Sequence, residues 1–282
     1  METDKEISPI DRGRTLYWQG EYDRAVSVLT EFIFNNPDVG AAYLLRASSY
    51  RALQAYQEAI ADYTQVIRIR PTYSRPYTER AFCYYYLGNY KQTIQDTTRS
   101  IHLKPKLARA YNLRGTAYHQ LKNYHQALAD YNRAIDRDRD DAIFYSNRGS
   151  VYFDLGQYRQ AIIEYDRAID LDPNYTLAYY NRGCTYQQLQ DYDAAIENYD
   201  RAMAVLGWVA DGELRPRLVS ELRALAQTAR WEVADHERYF ERLFYLSHEQ
   251  DMATFESVPV LRTVDGRALA LGSPRWMRER GH

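Results

Sequence analysis

A proline recurs at Pro37, Pro71 and Pro105, is replaced at Arg139, and returns at Pro173. Each interval is 34 residues, and the residues between the prolines repeat with the same period. Such a period restricts the chain to a stack of copies of one supersecondary unit, each burying its apolar side against the next. Stacks of this kind present a surface to a partner, and few carry chemistry of their own.

Counted from 31 residues before each proline position, the units are 6–39, 40–73, 74–107, 108–141, 142–175 and 176–209. The fourth position holds Tyr43, Tyr77, Tyr111, Tyr145 and Tyr179, and the eighth is small throughout, from Gly13 and Ala47 to Gly149 and Gly183. Tyrosine fills the eleventh position from Tyr50 onward and the seventeenth in every unit, and the twentieth is alanine except at Thr93. Positions 4, 8 and 11 share one face of a helix, and positions 17, 20, 24 and 27 share a face of a second. Between the helices stand Gly20, Gly88 and Gly156 in alternate units, with Asn123 or Asp191 one residue later in two of the others. These residue types tolerate the left-handed conformation that ends a helix, and the proline stops the second helix. Each unit is therefore predicted to be a helical hairpin.

The run Tyr145, Gly149, Tyr152, Tyr158, Ala161, Tyr165, Ala168 and Pro173 resembles the tetratricopeptide repeat family in its spacing of aromatic, small, alanine and proline positions. The resemblance implies an all-α fold, an α-solenoid of six hairpins wound as a right-handed superhelix, with the first helices lining a concave groove. It implies a protein or peptide partner without naming one.

Composition and motifs narrow the function classes. Net charge is −2 and the charges are interspersed, so no basic field points to nucleic acid. The opening residues lack a signal-peptide pattern and no apolar run suits membrane insertion, so the expected location is cytoplasmic. Cys83 and Cys184 lie three units apart, too far to bridge in a stack, and are expected to pack in a reducing compartment. His248-Glu249 lacks the second ligand of a zinc helix, because residue 252 is methionine. Asp136, Asp138 and Asp140 alternate like a calcium loop, but Asp141 replaces its glycine and Asn147 its closing glutamate. No phosphate loop or nucleophile constellation is present, so no catalytic residue, metal or cofactor is expected and the chain is read as a non-enzyme.

The seventh position is arginine in all six units: Arg12, Arg46, Arg80, Arg114, Arg148 and Arg182. Position 23 offers Asp62, Asp96, Asp130 and Glu164 in units two to five. The planar fork of arginine suits a carboxylate, so a repeated link between helices is predicted, within a unit or to its neighbour. The alternative is an aliphatic stem laid on the tyrosines with its head in water.

A second stripe on the first helices, which the resemblance turns toward the groove, carries Arg75, Glu79, Phe82, Tyr85 and Tyr86 in unit three and Arg109, Asn112, Thr116 and His119 in unit four. Unit five adds Asn147, Ser150 and Phe153, and unit six Tyr180, Asn181 and Cys184. Amides suit a peptide backbone, aromatics hold apolar side chains, and Arg75 or Arg109 meets an acid. The family's two-carboxylate clamp needs a lysine at the fifth position of a unit, and none stands there.

Unit one departs from the pattern with Pro9, Leu16 and Leu29, as expected of an end unit. Unit three places Thr93, Thr97 and Ser100 on its inner face, predicting a softer joint unless the hydroxyls bond back to the helix. Beyond residue 209 the period stops. Residues 210–247 are expected to form one or two capping helices. Residues 248–282 are expected to form a tail, with Asp265-Gly266 a candidate hairpin turn whose hairpin would dock, pair with another chain or stay mobile, and a disordered end is expected. Two functions follow: a scaffold that binds peptide segments in its groove, or a regulator whose residues 210–282 are an effector or an autoinhibitory segment. Self-association through that region is left open.

Overall fold

The computed structural model describes residues 8–206 and Ser220. The capping helices and tail expected at 210–282 lie outside the described residues apart from Ser220. Among the described residues there are twelve helices and no strand. They are α1 (Pro9–Trp18), α2 (Tyr22–Asn35), α3 (Gly40–Ala52), α4 (Tyr56–Ile69), α5 (Ser74–Tyr86), α6 (Tyr90–Leu103), α7 (Ala108–Gln120), α8 (Tyr124–Arg137), α9 (Ala142–Asp154), α10 (Tyr158–Leu171), α11 (Thr176–Gln188) and α12 (Tyr192–Leu206). The chain divides into two compact units, Met1–Asn181 and Arg182–His282. In the first, α1 pairs with α2, α3 with α4 and so on to α9 with α10, and each pair packs on the next.

The turn inside each hairpin is a fixed hydrogen-bonded device. In the hairpin of α3 and α4, the Gln54 amide donates to the Arg51 carbonyl at 3.1 Å and the Ala55 amide to the Tyr50 carbonyl at 2.8 Å. The same pair of bonds recurs at Gly88 and Asn89 and at Lys122 and Asn123. This double closure requires one residue in the left-handed region. That residue is Gly20, Gly88 or Gly156 in alternate hairpins, and Gln54, Lys122 or Gln190 in the others. Asn123 and Asp191, expected to take this role, do not: Asn123 has φ −87° and Asp191 is absent from the positive-φ residues. The ladder fixes the position, and the hairpin accepts a strained side chain there at a cost of roughly 1–2 kcal/mol.

Packing follows the small and large positions. The Tyr131 and Tyr165 rings are buried against Gly115 and Gly149, where an added Cβ would fall 2.9 and 2.8 Å from ring carbon. Glycine there lets the two helices approach across a tyrosine ring, a place that Ala47 fills in the cluster around Tyr63. In the second unit, Tyr199 closes on Gly183 in the same way, at 2.5 Å. In the first hairpin Leu29 takes the place of the tyrosine, against Gly13. Between successive hairpins the core continues through Tyr111, Ile135, Phe144, Tyr145 and Ala168. The fourth-position tyrosines also tie the connections. Tyr77 donates to the Pro71 carbonyl at 3.0 Å, and Tyr145 to the Arg139 carbonyl at 3.2 Å, so the connection keeps its form where proline is missing.

The predicted arginine links are present. Arg46 grips Asp62 through Nε and Nη2 at 2.7 and 2.8 Å, and its Nη1 reaches Thr30 of the preceding hairpin at 2.9 Å. Arg80 holds Asp96 and Thr64, Arg114 holds Asp130 and Thr98, and Arg148 holds Glu164 and Asn132 in the same manner. Each guanidinium also lies within 6.0 Å of the fourth-position tyrosine ring of its own helix. One side chain thus joins three helices, which a leucine in its place cannot do. Within the second unit, Arg182 donates to Asn198 at 2.6 Å.

Candidate functional site

The first-helix core runs through positions 3, 4, 8 and 10, as at Phe144, Tyr145, Gly149 and Val151, whereas the eleventh-position tyrosines expected there are only half-buried from Tyr50 onward. Positions 2, 5, 6, 9, 12 and 13 form a separate stripe. Position 12 holds a row of rings, each packed on the seventeenth-position tyrosine of its own hairpin. Tyr17 meets Tyr22 at 5.4 Å, Tyr85 meets Tyr90 at 5.6 Å, His119 meets Tyr124 at 5.9 Å and Phe153 meets Tyr158 at 5.6 Å. Arg51 interrupts the row. Tyr56 beside it stacks instead on Tyr86 of the next hairpin, at 5.3 Å and an interplanar angle of 20°.

Neighbouring first helices are also bridged along the stripe. Asn147 Nδ2 donates to Asn112 Oδ1 at 2.9 Å, and His119 Nε2 lies 2.8 Å from Asp154 Oδ2. Gln120 Nε2 approaches the Tyr85 hydroxyl at 3.5 Å. The Asn112–Asn147 bond leaves Asn112 Nδ2 and Asn147 Oδ1 without a hydrogen-bond partner among the described residues. A donor and an acceptor therefore stand side by side on α7 and α9.

Other predicted residues are committed to the fold. Thr116 and Ser150 each bond back to their own helix and accept the hydroxyl of a buried tyrosine, Tyr131 and Tyr165, at 3.3 Å. Tyr180 is buried, with 6% of its surface accessible, so it offers no open face. In the second unit Cys184 Sγ takes the Tyr199 hydroxyl at 3.4 Å. Asn181 and Phe153 are half-buried, and Arg109 is exposed with no ion pair among the described residues.

Around α5 the stripe is different. Phe82 and Tyr86 rings lie 4.6 Å apart, and Tyr86 is 55% exposed. The Arg51 guanidinium sits 5.1 Å over the Phe82 ring, and its Nε lies 3.5 Å from Glu79. Glu79 is shared with Arg75 at 3.8 Å. Burial works against the charge on Arg51, and the Glu79 carboxylate, the Tyr63 and Tyr17 phenol groups and a hydrogen bond to Tyr63 outweigh it, so the guanidinium stays protonated. Sequence reasoning missed Arg51; its signal was a lone arginine in a row of rings. Beneath this patch Cys83 is wholly buried, and burial pushes its thiol up to about 12, which makes it a packing residue.

The aspartates of the calcium-like run are occupied locally. Asp138 accepts the Asp140 amide at 3.2 Å and Asp141 the Ile143 amide at 3.0 Å. Among the described residues no His, Cys, Asp and Glu cluster is arranged to hold a metal, and no helix is long and apolar enough to cross a membrane.

The repeated hairpin with its small and aromatic positions is that of a tetratricopeptide array, and the comparisons agree. Sequence models of the tetratricopeptide repeat match residues 10–74 and 176–205, and a TPR repeat model matches 115–156 and 149–190. The chain belongs to the tetratricopeptide repeat family. No curated protein matches it in sequence. Among solved structures it is similar to a tetratricopeptide repeat protein from Parabacteroides merdae, with 20% identity, 74% of this chain and 81% of that one covered, and a TM-score of 0.63. It is similar also to the Cut9–Hcn1 hetero-tetramer of APC/C (18%, covering 88% of this chain and 48% of that one, TM-score 0.64). A third is PilF of Pseudomonas aeruginosa (16%, covering 77% and 96%, TM-score 0.62). At these identities the likeness defines the fold alone.

Proposed function

We propose that the protein is a non-enzymatic interaction scaffold that binds an extended segment of a partner protein along the first-helix stripe, taken as the wall of a concave groove. The frame of this reading is the division into six units over 6–209. The observation that carries it is the Asn112–Asn147 pair. Two amides locked to each other leave one donor and one acceptor pointing to no protein group, a match for the carbonyl and amide of a peptide strand. On α5, the first helix before α7, the half-buried Phe82 and exposed Tyr86 provide the apolar contact that favours association. His119, Phe153 and Tyr85 continue that surface, with their rings held by the tyrosines beneath.

The test is a pull-down from lysate with the wild type and an Asn112→Ala/Asn147→Ala variant, followed by isothermal titration with peptides from any captured protein. Loss of capture with an unchanged thermal melt supports the reading. A partner that binds both forms equally rejects this stripe as its site.

A further inference from the structure

We propose that Arg51, Arg75, Phe82 and Tyr86 form a subsite for an acidic side chain next to an apolar one in the bound segment. This deepens the peptide-binding reading and rests on it.

The seventh-position arginines show what a satisfied guanidinium looks like in this protein. Each of those spanning α3 to α10 makes paired bonds to one carboxylate at 2.7–3.0 Å and a further bond to a neighbouring side chain. Arg51 and Arg75 have nothing comparable. Among the described residues Arg51 Nε is buried with no hydrogen-bond partner, its distance to Glu79, 3.5 Å, is that of an ion pair without a hydrogen bond, and the guanidinium's remaining polar partner is the neutral Tyr63 hydroxyl. Arg75 is farther still from the same carboxylate, at 3.8 Å, and 58% exposed. One carboxylate faces two guanidiniums, and the unpaired Arg109 holds the matching position on α7. The surplus is positive, and a carboxylate from outside complements it.

The aromatic half of the subsite has the same origin. Phe82 stands at the ninth position, where Ser48, Thr116 and Ser150 receive the hydroxyl of a buried tyrosine. On α6 the tyrosine position is Thr97, so no hydroxyl arrives and the ninth position is released from that duty. Phe82 instead forms a floor under Arg51. A guanidinium over a ring can still offer its planar fork to a carboxylate, as a compact ammonium cannot. Tyr86, stacked on Tyr56 and open to solvent, borders the floor and accepts an apolar side chain adjacent to the acid.

The experiment probes the full chain with an array of short extended peptides in a Ser/Ala/Thr background. Each carries Asp or Glu beside Phe or Leu in all placements, with Asn or Gln counterparts of the same shape. The acidic peptides are expected to bind roughly tenfold to a hundredfold more tightly than their amide counterparts, the range of a charge-assisted bond, and to lose that advantage as salt is raised. Arg51→Gln and Arg75→Gln are each expected to erase the preference while the amide peptides bind as before. Arg75→Gln alters an exposed side chain and keeps the result readable if Arg51→Gln does not fold. Equal binding of acidic and amide peptides overturns the subsite and leaves the groove standing. A preference that survives in Arg75→Gln and in folded Arg51→Gln also overturns it. Failure of every peptide to bind overturns both the subsite and the peptide-binding reading.

Discussion

Residues 74–107 and 142–175 share one 34-residue pattern and one arginine clamp, but their interiors are built on different principles. In 142–175 the Tyr165 ring is buried against Gly149 and Val151 is fully enclosed, while the tyrosine hydroxyl reaches through to Ser150. In 74–107 the ring is absent, and buried hydroxyls take over. Thr93 donates to the Ala81 carbonyl at 3.2 Å, Ser100 bonds Thr78 at 2.7 Å and the Ser74 carbonyl at 3.2 Å, and Thr97 donates back to Thr93. Every one of these hydroxyls is satisfied, three of the bonds crossing between the two helices. The apolar knob is lost and a polar seam replaces it. The same exchange frees Phe82 to face outward. One substitution pattern thus links a less apolar interior to an unusual surface.

The largest contrast is expected from truncating the inner position of each hairpin. Tyr165→Ala should destabilise by about 3–5 kcal/mol, the cost of emptying a large core site. Thr97→Ala should cost about 1 kcal/mol, one hydrogen bond's net worth. Urea midpoints of the two variants test this, and equal shifts would break the contrast. A control comes from the clamps, which both hairpins share. Glu164→Ala and Asp96→Ala leave a mostly covered arginine without its carboxylate and should each cost about 2–4 kcal/mol, between the values for exposed and buried pairs. Divergence of these two would mean that the clamp depends on the interior beneath it.

A smaller effect sharpens the packing side. Gly149→Ala drives a Cβ to 2.8 Å from the Tyr165 ring and should cost about 1–3 kcal/mol by overpacking, whereas Ala81→Gly should cost about 1–2 kcal/mol through helix propensity and the loss of a buried methyl. Thermal melts of both separate the mechanisms. The smallest signal is chemical. With its thiol pushed up to about 12, Cys83 should stay unalkylated in the native protein at pH 8 and react once unfolded, as read by mass spectrometry. Since folding favours the neutral thiol, its contribution is complete below the unfolded value near 8.5 and is lost as pH rises toward 12. Native labelling at pH 8 would show that the hydroxyl-rich hairpin opens, as expected of the softer joint that its composition suggests.

The hairpins were legible because their signals are local. A small residue opposite a tyrosine, a proline after the second helix and an arginine in step with an acid lie within one period. Their partners are therefore fixed once two helices are folded back on each other. The clamp illustrates this: Arg148 and Glu164 are separated by one turn and two half-helices, and their encounter follows from the hairpin itself. The left-handed turn position was partly misread, because Asn123 is a better left-handed residue than Lys122. The hydrogen-bond ladder sets the position regardless of propensity.

The stripe was legible only as a set of surface positions. Nothing in the sequence distinguishes Thr116, whose hydroxyl serves a buried tyrosine, from Asn112, whose amide is half free. Nor does the sequence bring Arg51 over Phe82, since no spacing within a unit relates them.

What the amino-acid sequence determined by itself was the repeat and the pairing of helices, because a periodic chain imposes the same short-range geometry in every copy; on the first helices the buried residue proved to be the tenth, as at Val151, and not the eleventh. Which side chains meet between one hairpin and the next was decided by the tertiary structure. The angle and offset at which hairpins stack come from the fit of whole faces, and a shift of under an ångström there separates a hydrogen-bonded arginine clamp from the looser Arg51–Glu79 ion pair.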